Sequence, residues 1–285
     1  MIKIAIPNKG RISNGVKKLL EGIGISVPEN GRKLYVSTDN PDIQIMYARA
    51  ADIPRYVESG AADAGVTGED MVWESEAEVE KLLKLNFGSC RISLAVPVDS
   101  PIKSPADYKD GMRVATKLSN ITRKHLSKMG VECEIVPLAG ATELAPQLGV
   151  ADMVADQVST GNTLGENNLR VVEDIAESSQ YLIANKKSME EKEEEIDTLR
   201  VSMESVINAE VKRYIMANVS SEEELGRVVE VMPAMDSPTV LKLAKEGAYS
   251  VHSVVDKSTL IQTIRKLKRA GAKDILVMNM SRVVD

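Results

Sequence analysis

The sequence predicts an α/β protein with two lobes, followed by a separate module whose elements run βαββαβ. Three observations carry this. Short β-rich runs alternate with helical periodicities through the first two thirds of the 285 residues, the pattern that parallel strands with crossover helices require. The alternation restarts after "CRISLAVP", and a third pattern follows a strongly acidic helical stretch.

In chain order, "IKIAIP" reads as a strand and "ISNGVKKLLEGIG" as a helix that Gly24 closes, because glycine accepts the left-handed conformation of a helix end. "DIQIMYA" is a strand, "DIPRYVESG" a helix, and "ADAGVTG" a strand ending in a polar turn. The second lobe reads "PADYKD" helix, "MRVAT" strand, "ITRKHLSKMG" helix, "CEIVPL" strand, "TELAPQLG" helix and "VADMVAD" strand. The strand-like end of "LRVVEDIAESSQYLIANKK" returns to the first lobe. Lobe I is therefore expected over residues 1–91 plus about 178–187, with lobe II (92–177) inserted into it. Two crossings make a hinge over a cleft, the layout of periplasmic-binding-protein-like folds. Residues 188–211 form a connecting helix, whose acidic run from Glu190 to Glu195 reads as a solvated first turn favoured by the helix dipole. Residues 212–285 have the ferredoxin-like order, often a regulatory or assembly module.

Composition excludes several classes of function. Hydrophobic residues at 43% and charged residues at 27% are the proportions of a folded globular chain. Aromatics at 3% leave few rings for bases to stack on, and a net charge of −6 without a basic run excludes a nucleic-acid duplex as main partner. No apolar run approaches the roughly 20 residues of a membrane helix. The opening "MIKIAIPNKG" lacks the charged lead and apolar block of a signal peptide. Cys90 and Cys133 have neither disulfide-framework nor metal-site spacing, which fits a reducing cytoplasm. A secreted bilobal binding protein needs such a signal, and a bilobal regulator a DNA-binding module; neither is visible.

"DQVSTGNTL", residues 156–164, follows the buried strand "VADMVAD". Ser159, Thr160, Gly161, Asn162 and Thr163 offer amides and hydroxyls in a turn that glycine permits, a nest that can hold a phosphate without a cation. Asp156 would repel that phosphate, so it suits sugar hydroxyls beside it; the pair points to a ribose 5-phosphate, and an ordinary Asp-capped turn is the other reading. In "NKGR", Lys9 and Arg11 flank Gly10 at a strand end, as a polyphosphate site or as solvated cations. Arg49 follows "IQIMYA" and suits a bidentate phosphate clamp, whereas Arg55 belongs to a helix surface. Glu69 and Asp70 open a helix, either as caps or beside an anion-binding turn. His125, His252 and Trp73 are assigned to structure.

Read whole, "ELAPQLGVADMVADQVSTGNTL" resembles the signature of the ATP phosphoribosyltransferase family, matching it at Glu143, Gly149, Ala151, Val154, Asp156, Val158, Thr160, Gly161, Thr163 and Leu164. Gln157 departs, standing where the family usually has an aliphatic residue. "IAIPNKGRI", "ARAADIPRYVESGAADAGVTGED" and "FGSCRISLAVP" are similar to further family blocks, and "SPTVLKL" and "GAKDIL" to the regulatory domain of its long form. The resemblance implies transfer of the 5-phosphoribosyl group of phosphoribosyl pyrophosphate (PRPP) to N1 of ATP, the first step of L-histidine biosynthesis, with no covalent nucleophile. It implies PRPP binding by Glu143, Asp156 and Val158 to Leu164, and ATP binding by Lys9, Gly10, Arg11, Arg49, Glu69 and Asp70, with Lys9, Arg11 and Arg49 stabilising charge. It implies Mg²⁺ on the pyrophosphate, its protein ligands undefined. Feedback by histidine is expected at Ser237, Pro238, Thr239 and Leu241, an ordinary edge strand guarded by its proline being the other reading of these residues, in a homohexamer built from dimers that needs no separate regulatory subunit.

Overall fold

The computed structural model describes residues 1–28, 34–159 and 161–284; Thr160 and the side chain of Asn162 lie outside the described residues. The chain divides into two compact units, residues 1–21 with 25–200, and residues 22–24 with 201–285.

In the first unit, β1 (Ile2–Pro7) is followed by α1 (Gly10–Gly22), β2 (Tyr35–Ser37), β3 (Ile43–Ala48), α2 (Ile53–Glu58), β4 (Ala64–Gly68), α3 (Glu69–Ser75) and β5 (Glu80–Lys84). Lobe II adds β6 (Cys90–Pro97), β7 (Arg113–Thr116), α4 (Ser119–Lys128), β8 (Glu134–Pro137), β9 (Met153–Val158), α5 (Asn162–Glu166) and β10 (Leu169–Ser178). The chain then returns through β11 (Gln180–Ala184), α6 (Lys186–Glu191) and α7 (Glu193–Val211), the last running on into the second unit.

The lobe I sheet has the order β2-β3-β1-β4-β11-β5 and the lobe II sheet β10-β6-β9-β7-β8. β1 pairs parallel with β3 and β4, and β7 parallel with β8 and β9. The sheets are nonetheless mixed, because the strands beside the two crossings, β6, β10 and β11, run antiparallel to their neighbours. Side chains facing helices on both sides keep the inner strands apolar: Ile4, Ile6, Val114, Met153 and Val154 are fully buried.

Several elements differ from the sequence expectation. "PADYKD" and "TELAPQLG" form only 3-10 turns, Pro105–Asp107 and Thr142–Leu144. In the first, the Asp107 carboxylate accepts the Ser104 amide at 2.9 Å and closes the turn on itself. In the second, Pro146 has no N–H for a helical bond and crowds the carbonyl four residues back. The connecting helix is broken at Lys192, whose ammonium reaches the buried Asp63 at 2.8 Å. Three short elements, β2, β5 and α5, have too few residues to show a period.

The second unit comprises β12 (Lys212–Val219), α8 (Glu222–Val231), β13 (Thr239–Lys242), β14 (Tyr249–Asp256), α9 (Leu260–Ala270) and β15 (Lys273–Met278). Its antiparallel sheet has the order β13-β14-β12-β15, the ferredoxin-like topology. Ile215, Ala217, Val219, Val251 and Val255 fill one face against Val228 and Leu267 of the helices. Ser221 caps α8, its Oγ accepting the Glu224 amide at 3.2 Å.

Candidate active site

The polar turn after β9 is braced by its neighbours. Thr116, at the end of β7, is fully buried; its hydroxyl donates to the Ala155 carbonyl at 2.8 Å and accepts the Leu118 amide at 2.8 Å. Lys117 is thereby turned toward Asp156, and its Nζ lies 3.0 Å from Oδ1. Asp156 also accepts the Thr142 hydroxyl at 2.7 Å and the Gln157 amide at 2.7 Å. The carboxylate is thus fixed, and the ammonium beside it removes the repulsion it would impose on an anion. Gly161, at φ +81°, adopts the left-handed conformation that a Cβ would disfavour.

A cavity of about 340 Å³ opens over this turn. It gathers Arg11, Lys117, Glu143, Asp156, Val158, Ser159, Gly161, Thr163 and Leu164. A second cavity, of about 450 Å³, lies alongside, bounded by Ile12, Gly15, Phe87, Gly88, Ser89 and Gln180. Arg11, Gln157 and Ser159 border both. The second cavity depends on Gly15 lacking a side chain: an added Cβ would stand 2.8 Å from the Phe87 ring. Cys90 also lines it, but burial, and then the charge of Asp70, push its thiol up to about 11, which leaves no thiolate for nucleophilic work near neutral pH. Desolvation raises Cys133 as well.

The other expected residues are dispersed. Lys9, Gly10 and Arg49 are exposed at the adjoining ends of the parallel strands β1 and β3, and border neither cavity. Gly10 opens α1 at φ +86°. Glu69 and Asp70, expected either at the nucleotide or as caps, also border neither cavity. Glu69 pairs with Lys81 at 2.5 Å, and Asp70 is 1% exposed and bound by Ser178 Oγ at 2.7 Å. The burial of Asp70 and the pairing of Glu69 follow from the turn at Gly68, which folds both into the first turn of α3. Lys117, Thr142 and Phe87 were not singled out from the sequence. Lys117 had a legible signal, being the first residue beyond the strand "RVAT", where ligands of open α/β sheets sit.

A further cavity, of about 520 Å³, lies between α3 and α4 and is lined by Trp73, Glu76, Ile121, Lys124 and His125. His125 Nε2 stands 3.2 Å from Glu173, and Lys124 pairs with Glu76 at 2.5 Å.

In the second unit, Ser237 and Pro238 precede the edge strand β13, and Thr239 and Leu241 lie on it, both exposed. Thr239 is in register with His252 of β14, whose ring is held by the Tyr214 hydroxyl at 2.8 Å and the Ser250 hydroxyl at 2.9 Å. Among the described residues, no helix is long and apolar enough to cross a membrane.

Fold and site together define a bilobal α/β protein with polar cavities at its strand ends and an appended ferredoxin-like unit. The family model of ATP phosphoribosyltransferase (HisG) matches residues 49–205, and that of the HisG C-terminal domain matches residues 209–282. The chain belongs to the ATP phosphoribosyltransferase family, a family of pentosyltransferase enzymes, in its long form. It is 44% identical to the ATP phosphoribosyltransferase of Methanosarcina acetivorans and 41% identical to that of Methanococcus maripaludis, in each case over the whole of both chains. A solved ATP phosphoribosyl transferase (HisG:HisZ) complex from Thermotoga maritima superposes with a TM-score of 0.63 at 31% identity, covering 72% of this chain and 97% of that one.

Proposed function

We propose that the protein transfers the 5-phosphoribosyl group of PRPP to N1 of ATP, opening histidine biosynthesis, and that histidine inhibits it. The supporting observation is the braced carboxylate: Asp156, held by Lys117 and Thr142 at the edge of a glycine turn, fits ribose hydroxyls beside a 5-phosphate. The turn from Val158 to Leu164 supplies amides and hydroxyls to that phosphate. Thr160 and the Asn162 side chain enter through the resemblance alone. Lys117 joins the set, since its charge offsets that of Asp156 when the phosphate arrives.

In the transfer, the N1 lone pair forms the new bond to the anomeric carbon while the bond to pyrophosphate breaks and its electron pair leaves with that group. Positive charge grows on the ribose in between, so the protein's tasks are alignment, charge complementarity and exclusion of water. Arg11 borders both cavities and is placed to meet phosphates of either substrate; Lys9 and Arg49 flank the adjoining strand ends as further cations. The cavity with Phe87 as a wall is the room left for the adenine, whereas Asp70 and Glu69 border neither cavity.

Among the described residues, no group of three or more His, Cys, Asp or Glu forms a closed metal cage. Glu143, on the same cavity, is a carboxylate of the kind Mg²⁺ accepts when substrate phosphates and water complete its shell, whereas Asp156 is already bound by Lys117, Thr142 and the Gln157 amide. Bound there, the ion would neutralise the departing pyrophosphate.

The long form supports a self-sufficient enzyme: the HisG:HisZ complex is that of the shorter Thermotoga chain, and here residues 209–282 carry the C-terminal domain. A homohexamer with histidine near Ser237, Pro238, Thr239 and Leu241 is the regulatory part of the proposal. The test is product absorbance with ATP, PRPP, Mg²⁺ and pyrophosphatase, with and without histidine. Product suppressed by histidine is expected; absence of product overturns the transferase, and unsuppressed product overturns the feedback alone.

A further inference from the structure

Gln157 lies on β9 between Asp156 and the phosphate turn, yet its side chain crosses to lobe I. Its Nε2 donates to Asp70 Oδ2, while Asp70 Oδ1 accepts the Ser178 hydroxyl at 2.7 Å and the Asp70 amide donates back to that hydroxyl at 3.1 Å. Ser178 ends β10 and stands in register with Cys90, the first residue of β6. One carboxylate, 1% exposed, therefore ties the strand that leads into the glycine turn to β10, and through the β10–β6 pairing to the other strand at the crossings. The fold makes room for it: a Cβ on Gly68 would stand 2.1 Å from Asp70 Oδ1, so only glycine lets the carboxylate lie back over the turn. Gln157 is also one of the residues that border both cavities.

We propose that Gln157 is a positioning residue for the transfer: through Asp70 it fixes the strand end that holds the phosphoribosyl group relative to the lobe that holds the nucleotide. This rests on the reading of the site given above. The bond spans the lobes and is distinct from the groups that grip either substrate. Its loss therefore leaves each substrate bound and spoils their mutual alignment, on which a displacement between two bound substrates depends.

The test compares the full-length wild type with Gln157→Met, which keeps length and volume but removes the donor, and with Gln157→Glu combined with Asp70→Asn, which reverses the bond's polarity and still accepts from Ser178. Steady-state kinetics and calorimetric titration with PRPP are measured for each. For Gln157→Met the expected result is a fall in kcat of about tenfold or more, with KM for both substrates and Kd for PRPP within about threefold. The double variant should recover at least about a third of the wild-type kcat. If Gln157→Met does not fold, Gln157→Asn, too short to span, should show the same split. A kcat within about twofold of wild type, a rise in the PRPP KM as large as the fall in kcat, or no recovery in the double variant overturns the proposal alone. A wild type that neither binds PRPP nor forms product overturns the reading of the site together with it.

Discussion

At the scale of single residues, charge placement separates binding from stability. Lys117 is the cation that makes Asp156 compatible with an anion, so Lys117→Met should raise the KM for PRPP about tenfold, near 1.4 kcal/mol, with little change in the ATP KM. Because its side chain is 38% exposed, the melting temperature should hardly move, and a thermal scan beside the kinetics separates the two effects. Asp63 presents the opposite case. Burial is the largest single influence on its pKa and pushes it up, but the Lys192 ammonium, the Lys3 amide and the Ser188 hydroxyl, each at 2.8 Å, together hold it below the usual carboxylate value. A depressed folded pKa contributes stability above the unfolded value of 3.8 that is lost as pH falls through the folded one. Lys192→Met removes one donor from a buried carboxylate, costing about 1–3 kcal/mol. It should move the acid-unfolding midpoint, followed by circular dichroism, to higher pH. The sequence showed Asp156 and the glycine turn because their chemistry lies in one contiguous stretch. Lys117, Thr142 and Phe87 come from three other stretches, and only the fold brings them to it.

At the scale of elements, the turn proposed to hold the phosphate depends on one backbone angle. An added Cβ on Gly161 would meet nothing nearer than Val158 at 4.0 Å, so the cost of Gly161→Ala is conformational rather than steric, about 1 kcal/mol for a left-handed residue. The turn should relax away from φ +81° and PRPP affinity should fall, with the ATP KM and the melting temperature nearly unchanged; calorimetric titration with PRPP reads the difference. The long apolar strands β1, β3, β6 and β9 were legible because each has enough residues to show a pattern. The short elements were not. "TELAPQLG" carries helical spacing of apolar residues, but Pro146 overrides it, and no local rule assigns a partner to a five-residue segment such as β5.

At the scale of the whole molecule, regulation and catalysis are proposed for different units. Thr239→Val removes a hydroxyl from the edge strand of the ferredoxin-like unit, far in sequence from every group assigned to the substrates. It should weaken histidine inhibition about tenfold while the uninhibited rate stays within about twofold, as expected when an effector acts by coupling between separate sites. Light scattering should give a mass of six 31.0 kDa chains; a monomer would overturn the hexamer. The order βαββαβ could be read from the sequence because its six elements are regular and closely spaced. The antiparallel pairing at the hinge could not, since it is set by where the chain re-enters each sheet.

The single tryptophan, Trp73, lies on α3 beside Ile121 and His125 of α4, one helix from each lobe. The molecule therefore carries its own optical gauge. Any change in the contact between those helices alters the surroundings of one indole, so emission on adding PRPP, then ATP, would time the hinge directly in the unlabelled protein.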